Sequence, residues 1–208
     1  LAVIAPSAEE RASAAFRSAS LQASRGAVGA ALDGYNKFIK EFPADERVVT
    51  AQLERGRLMA GTGRIEEAKN ILTALLENGA SSIAAKAGTL LLTVVETKGS
   101  VQNQVDVLGT LIESASATEA SKTDYRLKLG KILFKELRRP LEAIRVLDRV
   151  EEKNTAGEAV VSVQEDTRLL FLSARIKAEA IGDLPAATEN LSRIIAQEPD
   201  DEVKQWAM

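Results

Sequence analysis

Apolar residues recur along nearly the whole chain at intervals of three and four, the period of a helix with one buried face. Gly, Pro, Asn and Asp cut this pattern into helices predicted at 8–24, 27–42, 46–61, 64–78, 81–97, 101–115, 119–138, 140–152, 158–181, 184–197 and 200–208. Several starts carry caps. Ser7 and Glu10 have capping-box spacing, as do Thr155 and Glu158. Pro140, and Pro185 after Asp183, fall in first turns, whereas Pro43 and Pro199 close helices. No stretch alternates well enough to be a strand. Connections of two to five residues make neighbours antiparallel, which gives five hairpins and a final helix.

The hairpins repeat. The second helix of each carries a face at offsets zero, four and seven: Ala31, Tyr35, Phe38; Ala68, Leu72, Leu75; Gln104, Leu108, Leu111; Ala143, Leu147, Val150; Ala187, Leu191, Ile194. The first positions lie 37, 36, 39 and 44 residues apart. A small residue there allows two helices to approach closely near their shared turn. Gly63, Gly99 and Gly182 each precede that position by five residues, and helices commonly end on a glycine at positive φ. "GTGRIEEA" (61–68) is therefore read as a repeated hairpin turn. Its rival is a loop cradling phosphate on backbone N–H groups, but the Lys-Ser/Thr of a P-loop is missing. Glu66 also stands where a dinucleotide fingerprint needs its third glycine.

These residues resemble a known family. "ERGRLMAGTGRIEEAKNILTALLENG" (54–79) is similar to a tetratricopeptide repeat (TPR), with Gly56, Gly63, Ala68, Leu72 and Leu75 at its small and apolar positions. "LGKILFKELRRPLEAIRVLDRV" (129–150) matches with one extra residue in the turn, and "ALDGYNKFIKEFP" (31–43) and "AATENLSRIIAQEP" (186–199) resemble second helices. The repeats are degenerate. Ala15, Gln52, Gly88 and Arg126 replace the early aromatic, which only Phe171 supplies, and Arg175 stands where a small residue belongs. The resemblance implies an all-α, right-handed superhelical solenoid of about five antiparallel hairpins.

Composition narrows the function. Hydrophobic residues make up 45% of the 208 and aromatics 4%, so aliphatic side chains must build a helical core. Cysteine and histidine are absent, which excludes disulfides and thiolate or imidazole metal ligation; no cofactor is expected. With 27 basic and 30 acidic residues, the net charge of −3 offers no bulk attraction to nucleic acid, which is not an expected partner. The most apolar stretch, "LLLTVV" (90–95), is far short of the roughly 20 residues of a membrane span. Residues 1–7 read as a linker or the remnant of an apolar segment ahead of a single domain, 8–208.

Catalytic signals are weak. The pairs Glu66–Glu67, Glu151–Glu152 and Asp200–Asp201 point about 100° apart on a helix and do not converge. No G-x-S-x-G or S-x-x-K motif is present. A helical-repeat enzyme using carboxylates with Tyr35 or Tyr125 is the least favoured reading. Lys128, Lys131, Lys135 and Arg138 form a basic stripe opposite Leu129, Leu133 and Leu137. Its simpler meaning is the wet face of an amphipathic helix; the alternative is a seat for an acidic peptide, a phosphate-bearing partner or lipid headgroups. "LLFLSARI" (169–176) is apolar nearly all round, as suits a helix covered on two sides, and Trp206 suits an end cap.

By resemblance, first helices line a groove for a protein or peptide partner, here Leu53, Arg57, Ala60, Thr89, Thr93, Leu127, Lys131, Leu172 and Ile176. The Lys/Asn clamp of chaperone-tail receptors is replaced by Phe16 and Ser20. The expectation is a noncatalytic protein-binding scaffold, with self-assembly within a larger protein as the alternative. "YNKFIKEFPADERVVTAQLERG" (35–56) is similar in cadence to envelope members of the family, which favours a periplasmic or cell-envelope setting.

Overall fold

A computed structural model describes residues 6–148 and 166–197. They form α1 (Ala8–Ser24), α2 (Val28–Glu41), α3 (Val48–Gly61), α4 (Ile65–Asn78), α5 (Ser81–Lys98), α6 (Val101–Glu113), α7 (Glu119–Lys135), α8 (Pro140–Leu147), α9 (Thr167–Ile176), a π-helical turn (Lys177–Ile181) and α10 (Leu184–Ala196). No strand occurs among the described residues. The chain divides into two compact units at Ser100 and Val101. The expected caps at Thr155 and Pro199, the face residue Val150, and Trp206 lie outside the described residues.

In the first unit α1 pairs with α2, α3 with α4, and α5 packs on α4 and α3. Ser7 makes the full capping box, accepting from the Glu10 N–H at 3.1 Å while the Glu10 carboxylate accepts from the Ser7 N–H at 2.7 Å. Phe16 of α1 meets Tyr35 and Phe38 of α2 edge-on, with ring centroids 5.8 and 5.4 Å apart. Each such pair adds about 0.5–1.5 kcal/mol beyond area burial. Lys98 of α5 reaches back and donates to the Ala60 and Gly61 carbonyls at 2.9 and 3.3 Å. It thereby adds a side-chain donor at the carbonyl end of α3, where the Ala60 carbonyl also accepts from the Gly63 N–H.

In the second unit α6 packs on α7, α7 pairs with α8, and α9 packs against α7, α8 and α10. Leu169, Leu170, Leu172, Ser173, Ala174 and Ile176 are all buried, so the apolar helix is covered within its own unit. Asp166 caps α9 in extended backbone, so α9 starts at Thr167; the part of the predicted helix over 158–165 lies outside the described residues.

The hairpin turns share one geometry. Gly26, Gly63 and Gly182 have φ of +75, +84 and +77°, and Arg138 has φ +56°. Each stands five residues before a buried alanine: Ala31, Ala68, Ala187 and Ala143. Gly26 and Arg138 thus belong to the series the sequence showed only in part. Gly99 does not belong to it, since its φ of −83° and ψ of 163° are extended. What requires glycine at 99 is proximity: a Cβ would lie 2.7 Å from the Val95 carbonyl oxygen.

Candidate functional site

The hairpins close in two ways. The residue after the left-handed one donates its N–H five residues back in the first two hairpins, Ala27 to the Gln22 carbonyl and Arg64 to that of Met59. In the last two it donates six back, Arg139 to Leu133 and Asp183 to Lys177. One extra residue has been inserted into each of the latter first helices, at Lys177–Ile181 as a π-helical turn. Counting back seven residues from Gly26 and Gly63 gives Ala19 and Gly56; counting back eight from Arg138 and Gly182 gives Gly130 and Ala174. All four are buried small residues. A Cβ on Gly56 would meet Leu72 at 2.9 Å, and one on Gly130 would meet Leu147 at 2.8 Å. The fold is a TPR-like helical repeat. Arg175 is accordingly not a misfit at the small position, which belongs to Ala174.

No protein-family model matches the chain, and no curated protein matches it. Solved structures similar to it include MamA protein, at 17% identity over 91% of this chain and 93% of that one, with a TM-score of 0.45. YrrB, a TPR protein with an unusual peptide-binding site, is 19% identical over 93% of this chain and 89% of its own, at a TM-score of 0.39. A thermophilic TPR protein of Thermus thermophilus, TTC0263, is 17% identical over 94% of this chain and 96% of its own, at a TM-score of 0.36.

The expected groove residues divide by burial. Arg57, Thr89 and Thr93 are exposed and Leu53 is half-buried in the first unit, while Lys131 is exposed in the second. Ala60, Leu127, Leu172 and Ile176 are buried. The two on α9 are core because of the π-helical turn: the inserted residue shifts the outward positions one place earlier, to half-buried Phe171 and exposed Arg175. An ion pair marks the shared face of α7 and α9, with the Arg168 guanidinium 3.0 Å from the Asp124 carboxylate. Arg168 is also held by Asp166, and these carboxylates raise its pKa further.

The α5 face has a distinct chemistry. Thr89, Thr93 and Thr97 donate their hydroxyls to the carbonyls of Ala85, Thr89 and Thr93, at 3.0, 2.9 and 2.8 Å. The side chains therefore present methyl groups and accepting oxygen lone pairs rather than free donors. Ala85, Lys86, Thr89, Leu90 and Thr93 line a shallow, mostly apolar depression. On α3, Arg57 is held beside Glu54 at 2.7 Å.

The basic stripe is shorter than predicted. Lys128, Lys131 and Lys135 are exposed on α7, but the helix ends at Lys135, and the reversal through Arg138 takes that side chain off the helical face.

The remaining chemical candidates have structural explanations. At "GTGRIEEA", the Thr62, Gly63 and Arg64 N–H groups donate to carbonyls of Leu58, Met59 and Ala60, so the turn's own N–H groups close the hairpin. Glu66 and Glu67 put negative charge in the first turn of α4, where a phosphate would have to sit. Tyr35 is 1% exposed among aromatic rings, and burial pushes its phenol up. Among the described residues no group of three acidic side chains is arranged to hold a metal ion. A polar cluster that periodicity concealed joins α8, α9 and α10. The Ser173 hydroxyl donates to Asp148 at 2.5 Å, and the Lys177 ammonium lies 2.9 Å from the same carboxylate and 3.4 Å from the Asn190 side-chain oxygen. The carboxylate lies between hydroxyl and ammonium, so the lysine does not activate the serine as a base. The cluster is a polar staple among three helices.

Proposed function

We propose that this chain is a noncatalytic interaction module that holds a peptide segment or helix of a protein partner on the outward faces of its first helices. In the first unit the face combines Leu53 and Arg57 with Thr89 and Thr93; in the second, Lys131 with Phe171 and Arg175. The observation that carries this reading is the outward face of α5, where Ala85, Leu90 and the threonine methyl groups form a mostly apolar strip beside Lys86 and the threonine acceptors. Such a surface gives apolar side chains a seat and peptide N–H groups an acceptor, while offering no nucleophile or acid–base pair. The cadence of 35–56 supports a setting in bacterial cell-envelope assembly.

The test is capture of partners by the intact chain from extracts, compared with an Arg57→Glu, Thr93→Lys double variant. Both positions are exposed, so the variant should melt within about 1 kcal/mol of the parent. Its specific partner should disappear from the captured material. Capture of the same partner at undiminished yield by the folded variant refutes the assignment.

A further inference from the structure

We propose that the turn from α7 into α8, with the lysines leading into it, is a docking corner for an acidic helical segment of a partner protein, and that Arg138 makes the central contact. The proposal rests on the interaction-module reading; it shares Lys131 with the first-helix face and extends past it to Lys135 and the turn at Arg138.

Three observations carry it. Four hairpins reverse through a left-handed residue at the same place; three use glycine and the fourth uses Arg138 at φ +56°. A side chain holds that conformation only against steric opposition, imposed here by the reversal from α7 into α8, and such residues cluster at functional sites. Secondly, Arg138 is exposed, and no ion pair among the described residues includes it, Lys131 or Lys135. Arg17, Arg25, Lys40, Lys86 and Arg145 form no ion pair among the described residues either, but they are scattered along the chain, so what distinguishes this corner is the grouping of three such cations about one turn. Thirdly, residues 128–139 hold five basic residues against Glu136, in a chain whose net charge is −3.

The helix dipole does not account for this arrangement. A cation near a helix C-terminus is favourable, and Lys135 already provides one in the last turn of α7. A second cation at the reversal gains less from that effect than a left-handed side chain costs there. Lys131 and Lys135 lie one helical turn apart, which matches carboxylates spaced i, i+4 on a facing helix. Arg138, turned off that face by the reversal, can take a carboxylate beyond the end of the docked turn through two parallel hydrogen bonds, as a lysine there cannot. Nucleic acid is the less suitable occupant, because three cations grouped about one turn match a few spaced carboxylates rather than a continuous line of phosphates.

Fluorescence anisotropy with the full chain and a labelled helical peptide bearing Glu at i, i+4 spacing tests the proposal, a Gln-substituted peptide serving as control. Arg138→Gly should raise the melting midpoint yet weaken binding of the Glu peptide by about five-fold, the scale of one exposed charge-assisted contact. Arg138→Lys should show intermediate affinity, and salt should weaken binding throughout. The proposal is overturned if Arg138→Gly binds like the parent, if the Gln peptide binds equally well, or if a duplex oligonucleotide binds more tightly than the Glu peptide. Any of these leaves the α3 and α5 face to be judged by its own capture experiment.

Discussion

Two glycines of the second unit should respond oppositely to the same added methyl group. Gly109 of α6 and Gly130 of α7 are both within helices, and replacing a helical glycine with alanine stabilises by about 0.5–1 kcal/mol through lost chain entropy in the unfolded state. At Gly109 a new Cβ meets nothing within 4 Å, so Gly109→Ala should show the full gain. At Gly130 the Cβ lies 2.8, 3.0 and 3.1 Å from Cδ2, Cγ and Cδ1 of Leu147. Cγ is the branch point, and rotating about χ2 cannot move it. Leu147 is 1% exposed, so its side chain cannot retreat into solvent and must shift within the core. Overpacking of this kind costs about 1–3 kcal/mol, which offsets or exceeds the propensity gain, so Gly130→Ala should be neutral to about 2 kcal/mol destabilising. Urea melts of both variants, followed by helical circular dichroism, read the difference as a separation of midpoints at common slope. The two midpoints should lie on opposite sides of the parent, or Gly130→Ala should at least fail to rise. If both variants shift upward by equal amounts, the close approach of α7 and α8 at Gly130 is wrong, and with it the repeat register of the second unit.

Two further outcomes follow from polar contacts. The Asp45 carboxyl, hydrogen-bonded to the Arg47 side chain and N–H, is pushed down from an ordinary 3.8 to about 2. A depressed carboxyl stabilises fully above its unfolded pKa, and that contribution disappears as pH falls through the folded one. Asp45→Asn should thus melt below the parent at pH 7, with the gap closing between pH 4 and pH 2; a gap that does not depend on pH excludes the linkage. Ser173→Ala removes a fully buried hydroxyl from the Asp148 carboxylate, an interaction of about 1.5–3 kcal/mol for a charged acceptor. Its urea midpoint should fall accordingly, and an unchanged midpoint means that Lys177 alone satisfies Asp148.

The second-helix face was legible because helical periodicity is a local property of the chain. Ala31, Tyr35, Phe38, Ala68, Leu72, Leu75, Leu108, Leu111, Ala143 and Leu147 are all buried as their spacing requires. The last repeat departs from it, with Asn190 at 3% exposure buried more deeply than Leu191, because Lys177 draws the amide into the polar cluster. Of the groove residues, Arg57, Thr89, Thr93 and Lys131 are exposed, whereas Leu172 and Ile176 went inside. Counting by a constant repeat cannot detect an inserted residue.

Composition and spacing by themselves determined an all-α chain of repeated hairpins, the glycine turn at 61–64, and which face of most second helices is buried. Tertiary structure alone decided that Arg138 reverses the chain as Gly63 does, that Gly99 is extended, and that a π-helical turn moves the outward face of α9 from Leu172 and Ile176 to Phe171 and Arg175. The physical reason is one of range. Side-chain polarity reports how each helix meets water one turn at a time, while the register between two helices is settled by contacts such as Gly130 with Leu147, whose partners lie far apart in the chain.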